Sequence, residues 1–349
     1  MAVISLFLSL KYAQSFSSSL THYSHFLRAT TNIQLGSTPG QIFDLSYEEP
    51  VFRPPAEWRS LILQVTIGCS WNRCTFCEMY QDKTFRARPI QDITEELDTI
   101  VKLGGAHHVR DVFLADGDAM TLPTGHLEEI LDAISARLPK VRRVSSYCLP
   151  RNIRGKSTES LIKLKSKGLS LVYVGCESGD DAVLSAIQKG ETYQTSLDAL
   201  SKLRDAGIKR SVMILLGLGG KEYSTQHALN SAKLSNEAQP EYLSMLTTSF
   251  PRGKKRVEEG YMNHSGSTSS FQELSPRDIL AELEAFLDAV NIPHDGKTIF
   301  RSDHASNYLV LKGRLGRDRD KMLDQVRTVL NAPSEYDVYN LRPEWARGL

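Results

Sequence analysis

The sequence predicts an α/β fold organised around a parallel sheet, and three observations carry that reading. Short apolar or β-branched runs alternate with amphipathic segments through six strand-then-helix repeats between Leu61 and Thr247. Strands joined this way run parallel, because each pair needs a crossover long enough to hold a helix. The chain has 349 residues, enough for one large barrel or two ordinary domains with a sizeable core. Its 42 Lys and Arg against 41 Asp and Glu leave a net charge of +1, so no global field steers it onto nucleic acid or anionic lipid. No apolar run approaches the ~20 residues that span a bilayer. Five cysteines are too sparse for a disulfide framework, and their odd number excludes complete internal pairing.

Leu61–Ile67 reads as the first strand. Ile93, Leu97, Ile100 and Val101 mark a helix that stops at Gly104 and Gly105. The second strand is Val112–Ala115, followed by a helix with Leu127, Ile130, Leu131, Ile134 and Leu138 on one face. Val141–Leu149 is the third strand, and Leu161, Ile162 and Leu164 belong to its helix. Leu169–Val174 is the fourth, with helices through Val183, Leu184 and Ile187 and over Leu197–Ala206. Ser211–Leu216 and Tyr242–Thr247 are the fifth and sixth, separated by a polar helix around His227–Leu234. Pro251–Phe271 is Gly/Ser-rich and reads as a loop, and Ile279–Val290 as an amphipathic helix. A possible seventh strand, Thr298–Phe300, and a basic tail with a helix near Met322–Leu330 complete the chain. The pattern leaves open whether the sheet is doubly wound or a closed or partial barrel. In either case the site belongs at the C-terminal ends of the strands.

The near-neutral charge is an average over two compositions. Residues 1–43 contain no acidic residue, only Lys11 and Arg28 as fixed positive charges, eight serines and four threonines. From Asp44 onward 40 basic residues face 41 acidic ones. An acid-poor, Ser/Thr-rich leader reads as an organelle transit peptide, with low Arg content leaning towards plastid and mitochondrion second. A secretory signal with Val3–Leu10 as its apolar core, or an inconsequential tail, are the rival readings.

Three cysteines fall in Gly68-Cys69-Ser70-Trp71-Asn72-Arg73-Cys74-Thr75-Phe76-Cys77, directly after the first strand. Thiolates so spaced can wrap one side of a zinc ion or an iron–sulfur cluster. Three is one short of a closed tetrahedral site, which suggests an open coordination position. Cys74-Thr75-Phe76-Cys77 also has the spacing of a redox dithiol, which would leave Cys69 unexplained.

This loop, with an aromatic residue just before its last cysteine, resembles the cluster loop of the radical S-adenosylmethionine (radical SAM) superfamily. It has four residues between the first two cysteines where most members have three. The resemblance continues from Leu61 to Gly220 at successive strand ends. Ala115-Asp116-Gly117-Asp118 resembles the family's Gly-Gly-Glu segment, which implies that Gly117 and Asp118 meet the amino group of SAM, with Asp in place of Glu. Glu177-Ser178-Gly179, with Lys189-Gly190 behind it, resembles a Glu-Ser-Gly stretch and implies that Glu177 and Ser178 contact the ribose and carboxylate of SAM. Gly217-Leu218-Gly219-Gly220 resembles the segment beside adenine, without the Glu often found three residues after its first Gly; Phe76 would also lie beside adenine. Each piece has a plainer reading: Asp118 as a turn residue, Glu177–Asp180 as a helix start, the glycines as a turn that lacks the full dinucleotide fingerprint.

The resemblance implies a partial TIM-type barrel of six strand–helix units with a short C-terminal helical extension. Residues 55–250 would be the core and 251–349 the extension packed on it. It implies that Cys69, Cys74 and Cys77 hold a [4Fe–4S] cluster whose open iron binds SAM through its amine and carboxylate. Reductive cleavage would give a 5′-deoxyadenosyl radical that takes hydrogen from substrate. An electron donor such as ferredoxin or flavodoxin is then needed. Neither an auxiliary cluster module nor a cobalamin pattern is recognisable. Polar density at Arg301–Tyr308 nominates His304, Ser306 and Asn307 for substrate binding or closure of the barrel mouth, against the reading of a capped loop. A small-molecule or cofactor-type substrate leads. Modification of tRNA or other RNA is second, kept alive by Arg314, Arg317, Arg319 and Lys321, although Asp318 and Asp320 interleave with them. A non-catalytic iron–sulfur or zinc protein on the same scaffold is the alternative of another class. Cys148 and Cys176 receive no role; Cys176 suits a small buried hydrophobe, with a thiol near SAM as the other reading.

Overall fold

The computed structural model describes residues 32–34, 42–45, 47–264 and 270–347. The leader expected over residues 1–43 therefore lies, apart from a two-stranded ribbon pairing Asn32–Gln34 with Ile42–Asp44, outside the described residues.

Eight strands form one sheet: β1 (Leu61–Gln64), β2 (Asp111–Ala115), β3 (Arg143–Cys148), β4 (Leu169–Glu177), β5 (Lys209–Leu216), β6 (Tyr242–Thr247), β7 (Ile299–Ser302) and β8 (Leu311–Arg314). They lie side by side in chain order. Every neighbour from β1 to β7 is parallel, and β8 returns antiparallel to β7. All six repeats expected from sequence are present, and the C-terminal ends of seven parallel strands share one rim. No pairing of β1 with β8 closes the sheet among the described residues.

Helices fill the crossovers: α1 (Ile90–Lys102), α2 (Thr124–Arg137), α3 (Thr158–Ser166), α4 (Asp181–Ala186), α5 (Tyr193–Asp205), α6 (Gly220–Ala238), α7 (Lys255–Met262) and α8 (Pro276–Ala289); α9 (Leu315–Asn331) follows β8. Their boundaries follow local chemistry. Leu103 ends α1 and Gly104 turns the chain with φ +84°, a conformation cheap only for glycine. Capping boxes start α5 at Thr192/Thr195 and α8 at Ser275/Asp278, each satisfying two backbone donors. Ile93, Leu97 and Ile100 of α1 and Leu127, Ile130, Leu131 and Ile134 of α2 enter one continuous core with the strands.

Two features depart from the sequence reading. The stretch read as a loop over Pro251–Phe271 contains α7, whose Val257 and Tyr261 are buried in a second apolar cluster. Its pattern is too short, and too diluted by Gly and charge, to register as periodicity. The extension is not purely helical: to β7, where a seventh strand was expected over Thr298–Phe300, it adds β8 in the same sheet. Gly313 hides β8, because it interrupts a polar run with no alternation to follow. Leu161, Ile162 and Leu164 all lie in α3 as expected; Ile162 is 49% exposed, so the helix buries Leu161 and Leu164.

The end of the sheet opposite the rim is sealed by buried polar groups. Glu57 accepts hydrogen bonds from Arg143 Nη2 (2.9 Å), Tyr173 Oη (2.6 Å) and Ser60 Oγ. Above it, Phe113, Tyr147 and Tyr173 meet edge-on with centroids 5.1–6.2 Å apart. The chemistry-bearing loops therefore sit on a packed interior, at the open rim.

Candidate active site

The rim gathers the loops singled out in the sequence. After β1, the segment Gly68–Cys77 folds across the end of β2, where Gly117 N donates to Gly68 O (3.1 Å). The approach is so close that a Cβ at position 117 would lie 2.7 Å from Cys69 Cβ and 2.8 Å from its Cα. Gly117 is thus required by contact with the cysteine loop. Asp118, fully buried, accepts from Ser70 N (2.9 Å), from Ser70 Oγ and from Asn152 Nδ2 (3.1 Å). Burial pushes its carboxyl pKa up, while the bonds from Ser70 and Asn152 oppose that shift.

Other contacts pin the loop from the sides. Thr75 N donates to Ile187 O (2.9 Å), and Trp71 Nε1 donates to Gln188 O (2.8 Å). Arg151 stacks on the Trp71 ring at 3.6 Å. Arg256 of α7 donates to Cys77 O (2.9 Å) and Cys74 O (3.0 Å).

Cys69, Cys74 and Cys77 are all free of disulfides. Burial raises all three pKa values, that of Cys69 to about 11 and that of Cys74 to about 12. Negative charge on Cys77 raises the other two further, so the thiols lie within each other's field. A polypeptide that brings one buried and two half-buried thiols into one loop without stabilising their thiolates is suited to a bound cation that does so. Among the described residues, no three His, Cys, Asp or Glu side chains close on one point as a single metal ion requires. Tetrahedral zinc at 2.3 Å would draw its sulfurs to about 3.8 Å of one another. A four-iron cluster binds each cysteine to a different iron and needs no such convergence. Soft thiolate donors suit an iron–sulfur cluster.

Opposite the cysteines stands a buried ion pair. Lys189 Nζ lies 3.0 Å from Glu177 Oε1, with side chains 3% and 10% exposed. Burial alone would lower the Lys189 pKa; the facing Glu177 and Cys74 outweigh it and raise it. Gly175 makes room, since a Cβ there would lie 2.2 Å from Glu177 Oε1. Ser178 is also buried, but its hydroxyl is committed: it lies 2.7 Å from His227 Nδ1 and accepts from Asp180 N (2.9 Å). His227 Nε2 donates to Leu215 O (3.1 Å).

The glycine loop after β5 is held from the extension. Gly217, at φ +82°, donates its N–H to Glu282 Oε1 of α8 (2.7 Å), and Glu282 Oε2 accepts from Ser224 Oγ (2.6 Å). The sequence lacks a Glu three residues after Gly217; α8 delivers a carboxylate to that loop from 65 residues away. Gly219 precedes α6, packed against Tyr223 and His227. Phe76 packs on the cluster of Val183, Leu184, Ile187 and Leu218.

The loop after β7 is turned inward. Asn307 Oδ1 accepts from Thr247 N (2.7 Å) and Oγ1 (3.0 Å), and its Nδ2 donates to Met245 O (2.8 Å). His304 Nδ1 takes a bond from Ser306 N (3.1 Å) and lies 2.9 Å from Ser306 Oγ. Burial, then Arg342, lowers the His304 pKa. Asn307→Ala is expected to cost about 1–3 kcal/mol, read by urea unfolding, because it orphans a buried backbone donor. An unchanged unfolding midpoint would show that the clamp adds nothing. The basic tail is internally balanced: Arg317 pairs with Asp318 and Arg319 with Asp320, each at 2.8 Å.

Residues 63–232 match the model of the Radical SAM superfamily. These residues form a radical SAM domain. The matched span covers β1 to most of α6 and so contains the cysteine loop, the Gly117–Asp118 turn and the Glu177–Lys189 pair.

Similar proteins include one of Methanocaldococcus jannaschii provisionally named a methylthiotransferase, 24% identical over 48% of this chain and 38% of that protein. A Roseiflexus protein named tRNA-2-methylthio-N(6)-dimethylallyladenosine synthase is 27% identical over 55% of this chain and 40% of its own length. Among solved structures, coproporphyrinogen III oxidase of Escherichia coli, titled a radical SAM enzyme, has TM-score 0.48 and 16% identity over 66% of this chain and 52% of that one. The chain spans two fifths or less of the curated relatives named here. The radical SAM superfamily is a family of enzymes, and no described helix is long and apolar enough to cross a membrane.

Sequence reasoning missed Lys189 as a charged site group, although it lies in the quoted Lys189-Gly190 pair. It also missed Asn152, Glu282 and Arg256. The last two come from the extension, where no motif marks them; only tertiary structure brings them to the rim.

Proposed function

We propose that this chain cleaves S-adenosylmethionine reductively at a [4Fe–4S] cluster held by Cys69, Cys74 and Cys77, and abstracts hydrogen from a small-molecule or cofactor-type substrate. The observation that carries this is the docking of the cysteine loop on Gly117 and Asp118 at the rim, with the Glu177–Lys189 pair opposite. When bound, the cluster supplies the electron that breaks SAM into methionine and a 5′-deoxyadenosyl radical.

The chain's own residues bind, orient and exclude water. Asp118 has committed one lone pair of Oδ1 and both of Oδ2, so Oδ1 retains an acceptor for the SAM ammonium. Lys189 offers charge to the SAM carboxylate, and Glu177 accepts from ribose hydroxyls. Ser178, spent on His227 and Asp180, serves by holding the turn that aims Glu177. Gly217, Gly219 and Phe76 form the adenine wall. His304, Ser306 and Asn307 close the mouth on the side of β7, and the electron donor is a ferredoxin- or flavodoxin-type protein.

Anaerobic isolation with metal analysis tests the cluster. About four irons per chain, with absorbance bleached by dithionite, is the expected result. One zinc per chain with no iron would sink the proposal in favour of a non-catalytic zinc protein. For the mouth, His304→Ala is expected to lower turnover in a strain that complements a deletion mutant, and unchanged turnover would remove His304 from the site. RNA modification is the second reading, and the name of the Roseiflexus relative favours it. The balanced charges of the tail favour the small-molecule reading instead. Comparing metabolites and modified nucleosides in a deletion strain separates the two.

A further inference from the structure

We propose that Arg256, delivered by α7 from the C-terminal extension, is a positioning residue for the cluster: its charge raises the reduction potential, and its forked guanidinium fixes the loop that carries Cys74 and Cys77. The proposal rests on the cluster assignment above and extends it to a residue outside the matched radical SAM span.

The geometry is specific. One nitrogen of the guanidinium donates to Cys77 O at 2.9 Å and the other to Cys74 O at 3.0 Å. Two carbonyls three residues apart are thus bridged by one planar, permanently charged group, a bidentate arrangement that lysine cannot reproduce. Each carbonyl has one further donor, Cys77 N on Cys74 O (3.3 Å) and Gln81 Nε2 on Cys77 O (2.9 Å), and Arg256 is the group that ties the two carbonyls to each other.

The rest of the segment is built to hold Arg256 in place. Arg252 N donates to Glu78 Oε2 (3.1 Å), and the Arg252 guanidinium pairs with Asp82 (3.1 Å). Gly260 lets α7 approach closely, because a Cβ there would lie 2.4 Å from Ala186 O and 3.0 Å from Thr75 Cγ2. Tyr261, 1% exposed, donates to Leu218 O (2.6 Å) and anchors the end of the helix. The nearby acidic side chains Glu78 and Asp82 are engaged by Arg252, so the Arg256 charge is directed at the loop.

The electrostatic consequence has a definite sign. A four-iron cluster with three thiolates becomes more negative on gaining an electron. A fixed cation beside it therefore favours the reduced form, and removing that cation makes reduction harder. A unit charge about 10 Å from the reducible group, at an effective dielectric of about 20, alters the reduction equilibrium by about tenfold.

The test uses the full chain, reconstituted anaerobically with iron and sulfide, and follows the reduced-cluster EPR signal in a redox titration. Arg256→Gln is expected to shift the equilibrium against reduction about tenfold, a potential lower by about 59 mV for a one-electron couple. Arg256→Lys keeps the charge and is expected to restore most of the potential. In the unreconstituted protein, hydrogen exchange of residues 74–78 should quicken in both variants, because neither spans both carbonyls. A wild-type potential in Arg256→Gln with a full iron complement overturns the electrostatic role. Unchanged exchange in both variants overturns the positioning role. A wild-type chain that binds no iron would instead defeat the cluster assignment itself.

Discussion

Gly117→Ala is expected to reduce iron retention by more than tenfold and to lower stability by about 1–3 kcal/mol, the usual cost of forcing one carbon into a packed site. Its own backbone does not require glycine; the obstacle is the neighbour. The added methyl would meet Cys69 Cα, Cys69 Cβ and Gly68 O within 2.7–2.9 Å. Two of those three atoms are backbone, so relief comes only by moving the loop. Moving it takes Cys69 away from Cys74 and Cys77 and strains the bonds from Ser70 to Asp118. Gly125→Ala is the control, since nothing lies within 4 Å of that Cβ and the residue is in α2. The control should be neutral or slightly stabilising, as alanine is in helices. Urea unfolding of the unreconstituted variants gives stability, and iron per chain after reconstitution gives the site. Full iron in Gly117→Ala would mean that the loop docks elsewhere.

Lys189→Met is expected to destabilise the fold by about 3–5 kcal/mol, because it strands Glu177 as an unpaired charge in a buried place. Glu177 cannot swing away readily: it sits at φ +65°, its side chain is 10% exposed, and its carboxylate fills the space left by Gly175. The double variant Lys189→Met/Glu177→Gln removes both charges and should recover a large part of the loss, so the cycle reports coupling instead of mere truncation. The comparison is read from urea midpoints with unchanged slope. If the two substitutions simply add, the pair is not coupled. The pair must then be kept for something other than mutual compensation. The SAM carboxylate is the expected third member, and Lys189→Met should weaken SAM binding even where the double variant folds well.

Much of this architecture was legible before any coordinates, for reasons that can be located. Buried parallel strands are runs such as Leu61–Gln64 and Leu169–Glu177, which are mostly apolar because both faces are covered. Their helices show one apolar stripe each, as Ile93, Leu97 and Ile100 do in α1. Once the strands are parallel, their C-terminal ends share a rim, so the cysteine loop, Asp118, Glu177 and Gly217 had to gather there. What sequence could not supply was the hydrogen bonding of each side chain. Ser178 reads as a ligand-facing hydroxyl in its motif, yet His227, 49 residues away, occupies it. Asp118 reads as a contact for a bound amine and also ties down Ser70. α7 and β8 were invisible because short elements rich in charge and glycine obtain their stability from packing, not from a local pattern.

The central claim is that three cysteines on this rim hold a cluster that cleaves SAM. The most direct measurement incubates the reconstituted wild-type chain and its Cys74→Ala variant with SAM and dithionite under anaerobic conditions and quantifies 5′-deoxyadenosine. The wild type is expected to release it in step with methionine, and the variant to release none above the protein-free control. Equal release from both, or none from a wild type that carries its full iron, would contradict the account.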